Sequence, residues 1–237
     1  MLLLFDIDGT LLSTSGAGTR AFTRAGRDWF GPDFSTEGIS FAGRLDPLII
    51  ADVLRQRGLP ANAENTARFR TEYCSHLPAE LERSRESARA LPGVVALLDA
   101  LQAKAPPHVA IGLLTGNYPE TGTLKLDLCG IPARRFSIHV WGDESPSDPP
   151  TRDDLPRVGM DKYTRQHGRQ LKGEEVVVIG DTPFDVRCAQ AHGCRSLAVA
   201  TGHHSVQQLK DAGADRAEAD LSNTAQMVAW LLGTAAV

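Results

Sequence analysis

Five short apolar runs, each stopping abruptly at acidic, hydroxylic or small residues, constrain the fold of this chain more than any other feature. Leu2-Leu3-Leu4-Phe5 stops at Asp6-Ile7-Asp8-Gly9-Thr10, and Ala110-Ile111-Gly112-Leu113-Leu114 stops at Thr115-Gly116-Asn117. Phe136–Val140 is a third run. Val176-Val177-Val178-Ile179 gives way to Gly180-Asp181-Thr182, and Ser196–Ala200 gives way to Thr201-Gly202. A strand buried on both faces reads as a continuous run of this kind rather than as an alternation. Helical patterns lie between the runs. Val94–Lys104 sets Val94, Leu97, Leu98 and Leu101 on one face. Asp154–Gln170 and Pro183–His192 have helical spacing, the second with Gly193 as its stop, and Ser205–Ala212 and Thr224–Leu232 follow the fifth run. Strands alternating with helices predict an α/β fold, a doubly wound parallel sheet. Such sheets bind ligands outside the carboxyl ends of their strands, where all these acidic and hydroxylic endings lie.

Residues 13–90 interrupt the alternation. They hold helical candidates at Gly18–Phe30, Pro47–Arg57 and Asn62–Arg83, and no convincing strand. The expected organisation is a sheet core, residues 1–12 and 91–237, carrying an all-helical cap at 13–90. That accounts for a length of 237 residues, large for one small domain and short for two. The net charge of -4, with no basic stripe, argues against nucleic acid as the main partner. No apolar stretch approaches the roughly 20 residues that span a bilayer. Met1–Phe5 lacks the basic start of a signal peptide, so a cytoplasmic location is expected. Cys74, Cys129, Cys188 and Cys194 show no C-x-x-C spacing, which leaves them structural.

The strand endings carry the chemistry. Asp6 and Asp8 flank Ile7, and alternate residues of an extended chain point the same way, so both carboxylates share one site. Like charges that close need a cation between them. Asp181 is positioned as a third carboxylate. An oxygen-rich set without imidazoles suits Mg²⁺. A hydroxyl and free backbone N–H groups, as at Thr115-Gly116-Asn117, make a phosphate cradle.

Asp6-Ile7-Asp8-Gly9-Thr10 resembles the first motif of the haloacid dehalogenase superfamily of phosphohydrolases. Leu113–Asn117 resembles its second motif, and Gly180-Asp181-Thr182-Pro183-Phe184-Asp185 its fourth. The insertion, with Phe41–Pro47, is similar to the helical cap of the phosphoglycolate phosphatase-like branch. This resemblance implies that Asp6 is the nucleophile, forming an aspartyl-phosphate. It implies that Asp8 is the general acid and then the base. It also implies Mg²⁺ held by the Asp6 side chain, the Asp8 carbonyl and Asp181. An aspartic acid that donates a proton near pH 7 must be held protonated, at a cost on the order of 4 kcal/mol. Burial beneath a closed lid is expected to supply this at Asp8.

The family's third motif, a Lys or Arg before the helix that precedes the fourth strand, has no clear counterpart. Arg152, at the expected entrance of that helix, is the first candidate for contacting phosphate, with Arg157 and Lys162 as alternatives. Asp185 either supports the metal site from behind or serves as a first-turn helix acid. Arg44 is the cap's candidate for a substrate anion, and His203 and His204 read as an exposed loop pair. The expected activity is hydrolysis of a small phosphorylated metabolite. The alternatives are a sugar phosphomutase and, among non-enzymes, a receiver-like or degenerate phospho-ligand-binding protein.

Overall fold

In the computed structural model of the chain, which describes residues 1–233, each of the five apolar runs is a strand. The elements in order are β1 (Leu2–Phe5), β2 (Leu12–Ser13), α1 (Ala17–Phe30), α2 (Asp46–Gln56), α3 (Ala63–Arg83), β3 (Arg89–Ala90) and α4 (Val94–Lys104). There follow β4 (Ala110–Leu114), α5 (Pro119–Leu128), β5 (Ile138–Val140), α6 (Leu155–His167), β6 (Val176–Gly180) and α7 (Pro183–Gln190). The chain continues through β7 (Arg195–Val199), α8 (Val206–Asp211), β8 (Arg216–Glu218) and α9 (Thr224–Leu232).

Six strands form one parallel sheet in the order β5-β4-β1-β6-β7-β8. The strand β1 lies between β4 and β6, with Phe5 opposite Leu113 on one side and Ile179 on the other. The chain fills one side of β1 and then crosses to the other, so the strand order reverses there. Such a reversal opens a crevice at the carboxyl ends. The register brings the residues after Phe5, Leu114 and Gly180 to that crevice.

Alternate residues of β1 feed two apolar layers. Leu3 and Phe5 pack with Leu97, Leu98 and Leu101 of α4 and with Met227 and Leu231 of α9. Leu2 and Leu4 pack with Leu155, Met160 and Tyr163 of α6 and with Cys188 and Ala189 of α7. Each fully buried leucine contributes about 1.5–3 kcal/mol, which pins the register of this four-residue strand. All four cysteines are free thiols, and Cys188 and Cys194 are buried.

The three helices between β1 and α4 have their own apolar cluster, built on Phe22, Ile50, Phe69 and Leu77. Trp29 and Phe30 stack against this cluster. Contrary to the sequence expectation, the insertion is not free of strand. Leu12–Ser13 and Arg89–Ala90 pair antiparallel at its base. Two residues per strand leave no periodicity to read. No helix among the described residues is long and apolar enough to cross a membrane.

Candidate active site

Gly9 lets the chain fold back directly after β1. Its φ of 79° lies in the left-handed region, and its N–H donates to the Leu12 carbonyl at 2.9 Å. This tight loop places Asp6 and Asp8 on the wall of a cavity of about 320 Å³. The same cavity is lined by Thr115, Asn117, Lys125, Arg152, Asp181 and Arg44.

The two aspartates enter different groups of side chains. Asp6 joins a buried cluster with Asp181, Asp185 and Arg152. Arg152 sits in a short 3₁₀ turn, Arg152–Asp154, just ahead of α6, with its side chain only 3% exposed. Its Nη2 lies 2.6 Å from Asp185 Oδ1 and 3.2 Å from Asp6 Oδ1. The Arg152 Nε is buried without a hydrogen-bond partner. A buried orphan donor beside a cavity is what an anion of the right shape would satisfy. Arg157 pairs with Asp161, and Lys162 pairs with Glu144 and donates to the His139 carbonyl.

Asp185 takes the helix-acid role offered for it and also pairs with Arg152. Its Oδ2 accepts from the Thr182 N–H at 3.0 Å and the Thr182 hydroxyl at 2.7 Å, closing a capping box on α7. Its Oδ1 takes the Arg152 guanidinium. Asp181, just past β6, accepts from the Thr10 hydroxyl at 3.2 Å. It has no ion-pair partner among the described residues. A Cβ on Gly202 would stand 1.7 Å from Asp181 Oδ2, so backbone encloses this carboxylate. Burial pushes the Asp181 carboxyl well above its ordinary range, and neighbouring Asp185 and Asp6 add to the rise. Asp6 is pushed up by burial as well, against the pull of Arg152.

These carboxylates fit a divalent cation. Asp6, Asp181 and Asp185 present oxygens within 4.8 Å of one another, and all three are buried. Asp185 is the most engaged of the three, accepting from the Thr182 N–H and hydroxyl and from Arg152, so Asp6 and Asp181 are the freer pair. One guanidinium cannot neutralise three buried acids, and oxygen ligands of this kind suit Mg²⁺.

Asp8 has different company. Its Oδ2 accepts from Lys125 Nζ at 2.6 Å and from Asn117 Nδ2 at 2.9 Å. Asn117 also bonds the Thr115 hydroxyl at 2.8 Å and takes a second Lys125 hydrogen bond at 2.6 Å. The Asn117 side chain is therefore spent on fixing neighbours, and a phosphate cradle at Thr115-Gly116-Asn117 would rest on the hydroxyl and backbone N–H groups, as expected from the sequence. The expected burial of Asp8 is absent, since its side chain is 44% exposed. Deep burial falls on Asp6 and Asp181 instead, because they lie nearer the sheet.

Lys125, on α5, lines the cavity and pairs with Asp8, a position that the sequence reading does not single out. Its side chain is only 7% exposed. Burial works against its charge, but the Asp8 and Asp46 carboxylates hold it above its ordinary value. Asp46 opens α2 and accepts from the Tyr118 N–H at 3.2 Å and the Thr121 hydroxyl at 3.4 Å. Burial pushes Asp46 up to about 6, with Lys125 opposing. A usable signal existed. Tyr118, Thr121, Gly122 and Lys125 follow i, i+3, i+4, i+7, so a lysine lies on the buried face of a helix.

The insertion presses on the site through several contacts. A Cβ on Gly116 would stand 1.9 Å from the Arg44 carbonyl, and the Gly116 carbonyl accepts from the Asp46 N–H at 2.8 Å. Arg44 lines the cavity, with Nη2 paired to Asp52 at 2.5 Å. Arg70 of α3 pairs with Glu120 at 2.7 Å and Asp143 at 2.9 Å, and lies over the Tyr118 ring. His203 lines the cavity and is exposed.

The model of the haloacid dehalogenase-like hydrolase family matches residues 3–199. A phosphoglycolate phosphatase of Cereibacter sphaeroides is 27% identical over 214 residues, covering 89% of this chain and 91% of its own. A predicted phosphatase from Clostridium acetobutylicum shares the fold with a TM-score of 0.71 at 20% identity, covering 97% and 98% of the two chains. A putative beta-phosphoglucomutase from Thermotoga maritima shares it with a TM-score of 0.63 at 18% identity, covering 98% and 99%. With the family match spanning most of its length and the three strand-end motifs gathered at one cavity, the chain belongs to the haloacid dehalogenase-like hydrolases.

Proposed function

We propose that this protein is a Mg²⁺-dependent phosphatase that cleaves the monoester of a small metabolite through an aspartyl-phosphate on Asp6. The observation that carries the reading is the separation of the two aspartates. Asp6 faces the Arg152 guanidinium at 3.2 Å, and Asp8 is held apart by Lys125 and Asn117. One carboxylate is thereby set for phosphorus and the other for the departing oxygen.

In the first step an Asp6 oxygen attacks phosphorus, the bond to the ester oxygen breaks, and Asp8 in its acid form gives that oxygen a proton. In the second step Asp8, now a carboxylate, takes a proton from water as the water attacks phosphorus. The bond to Asp6 then breaks, inorganic phosphate leaves, and Asp8 is again an acid. Asp6, Asp181 and the Asp8 carbonyl would hold Mg²⁺, which supplies charge neutralisation for a carboxylate approaching a phosphate dianion. Arg152 serves the same need from the protein side and binds the phosphoryl oxygens, with Thr115 and Gly116 at the neighbouring strand end. Asp185 keeps Arg152 in place.

Residues 13–90 act as a cap over the core of 1–12 and 91–237, and the cavity between them decides the substrate. Its volume lies at the small end of ligand pockets, about 300–1,000 Å³. Phosphoglycolate is the leading candidate, with Arg44 as the cap's contribution to an anionic group. The test is hydrolysis of p-nitrophenyl phosphate and a panel of phosphorylated metabolites, with and without Mg²⁺. Mg²⁺-dependent turnover that Asp6→Asn abolishes is expected, and turnover unchanged by Asp6→Asn contradicts the reading. Conversion of glucose 1-phosphate to glucose 6-phosphate without phosphate release would replace phosphatase by mutase.

A further inference from the structure

Lys125 has no part in the two steps above, yet it is the one lysine among the described residues lining the cavity, and its side chain is only 7% exposed. Burying a lysine is unfavourable unless its charge is matched by well-placed partners. Here the match is to Asp8 Oδ2 and Asn117 Oδ1, both at 2.6 Å. Asn117 Nδ2 donates to that same Asp8 oxygen at 2.9 Å. The two donors converge on Oδ2 alone, and Asp8 Oδ1 accepts no hydrogen bond among the described residues. The arrangement is closed from the insertion side, because a Cβ on Gly18 would stand 3.3 Å from Lys125 Nζ.

A carboxyl group on an exposed loop turns freely about its last torsion, and either oxygen can then face the cavity. The Asp8 side chain is 44% exposed, so burial alone does not stop this. We propose that Lys125, with Asn117 as its partner, is a positioning residue that locks the Asp8 carboxyl with Oδ1 toward the departing ester oxygen. This rests on the phosphatase reading and extends it. Arg152, in the turn ahead of α6, stands beside the nucleophile, and a second cation, on α5, sets the direction of the Asp8 carboxyl.

The test exploits the leaving group. A poor leaving group such as an alkyl alcohol needs the proton from Asp8, and 2,4-dinitrophenolate does not. The constant to compare is kcat/KM, which reports steps up to phosphoryl transfer. Lys125→Met is expected to lose about 10²-fold on an alkyl monoester, the lower range for positioned acid catalysis. On 2,4-dinitrophenyl phosphate the expected loss is less than about threefold, because only the acid has been misplaced. Lys125→Arg should recover much of the alkyl activity. If Lys125→Met does not fold, as judged by its melt, the ratio is read from Lys125→Gln. An equal loss on both esters, or no loss on either, overturns the proposal and leaves the phosphatase reading intact. A wild type inactive on every monoester overturns both.

Discussion

Removing the Arg152 charge tests how the site tolerates its buried acids. In Arg152→Met the stem is kept and the guanidinium is lost. Asp6 and Asp185, with side chains 7% and 2% exposed, are then left without a cation. Breaking a buried pair by removing one partner costs about 3–5 kcal/mol. For a chain of this size each kcal/mol moves the melting temperature by about 2–4 °C, which gives a fall of roughly 6–20 °C. The loss has a pH signature. Burial pushes Asp6 up to about 6 against the pull of Arg152, and without Arg152 the rise is larger. A carboxyl whose folded pKa exceeds its unfolded value of about 4 destabilises increasingly as pH rises between the two. Up to about pH 6 both proteins lose stability alike through Asp6, so the deficit of the variant is smallest there and widens as pH rises above 6. Adding Asp185→Asn should restore part of it, because one of the two orphaned charges is then gone. The assay is thermal unfolding by circular dichroism in chelator at several pH values. A variant melting within about 2 °C of wild type throughout would show that Arg152 is not matched to these acids, and refute the reasoning.

Other perturbations reach different parts of the account. Asp181 is held up at about 8, so metal-free protein loses stability as pH rises from about 4 toward 8. Mg²⁺ should therefore raise the melting temperature more at pH 8 than at pH 5, and Asp181→Asn should shrink the difference to the part that Asp6, pushed up to about 6, contributes. A shift independent of pH would place the ion elsewhere. Gly202→Ala drives a methyl to 1.7 Å from Asp181 Oδ2; the Mg²⁺-induced shift and turnover should fall together while the circular dichroism spectrum is kept. Full Mg²⁺ stabilisation in that variant would show that Asp181 is not confined as described. Arg70→Ala removes partly exposed pairs worth about 0–1 kcal/mol each, so the global melt should barely move. Hydrogen exchange in α3 should nevertheless quicken, because Arg70 ties it to Glu120 and Asp143. Unchanged exchange would show that other contacts hold the insertion.

The parts of the fold that the sequence announces are those whose physics is simple. A strand buried on both faces must be apolar along its length, so β1, β4 and β6 stand out, and so do the acids at their ends. The edge strand β8, Arg216-Ala217-Glu218, carries no such demand and is invisible. The helix α5 is obscured for another reason. Its buried face holds Thr121, Gly122, Lys125 and Leu126, a mixture shaped by contact with a polar site. Lys125 escapes notice because lysine is ordinarily a surface residue, and only the spacing from Tyr118 marks it. Arg152 is legible from its place ahead of α6, but its bond to Asp185 is not. That contact joins residues from α7 and a loop that meet only through the sheet. The chemistry asks for Asp8 deep under a lid. The loop turns at Gly9 instead, and the burial goes to Asp6 and Asp181.

The central claim is that Asp6 carries the phosphoryl group. The direct measurement is rapid acid quench of the wild type during turnover of a ³²P-labelled monoester with Mg²⁺, followed by peptide mapping. The account predicts label on the peptide containing Asp6, released by hydroxylamine as an acyl phosphate must be, and absent from Asp6→Asn. Turnover with no protein-bound label under any quench time, or label on another residue, would contradict it.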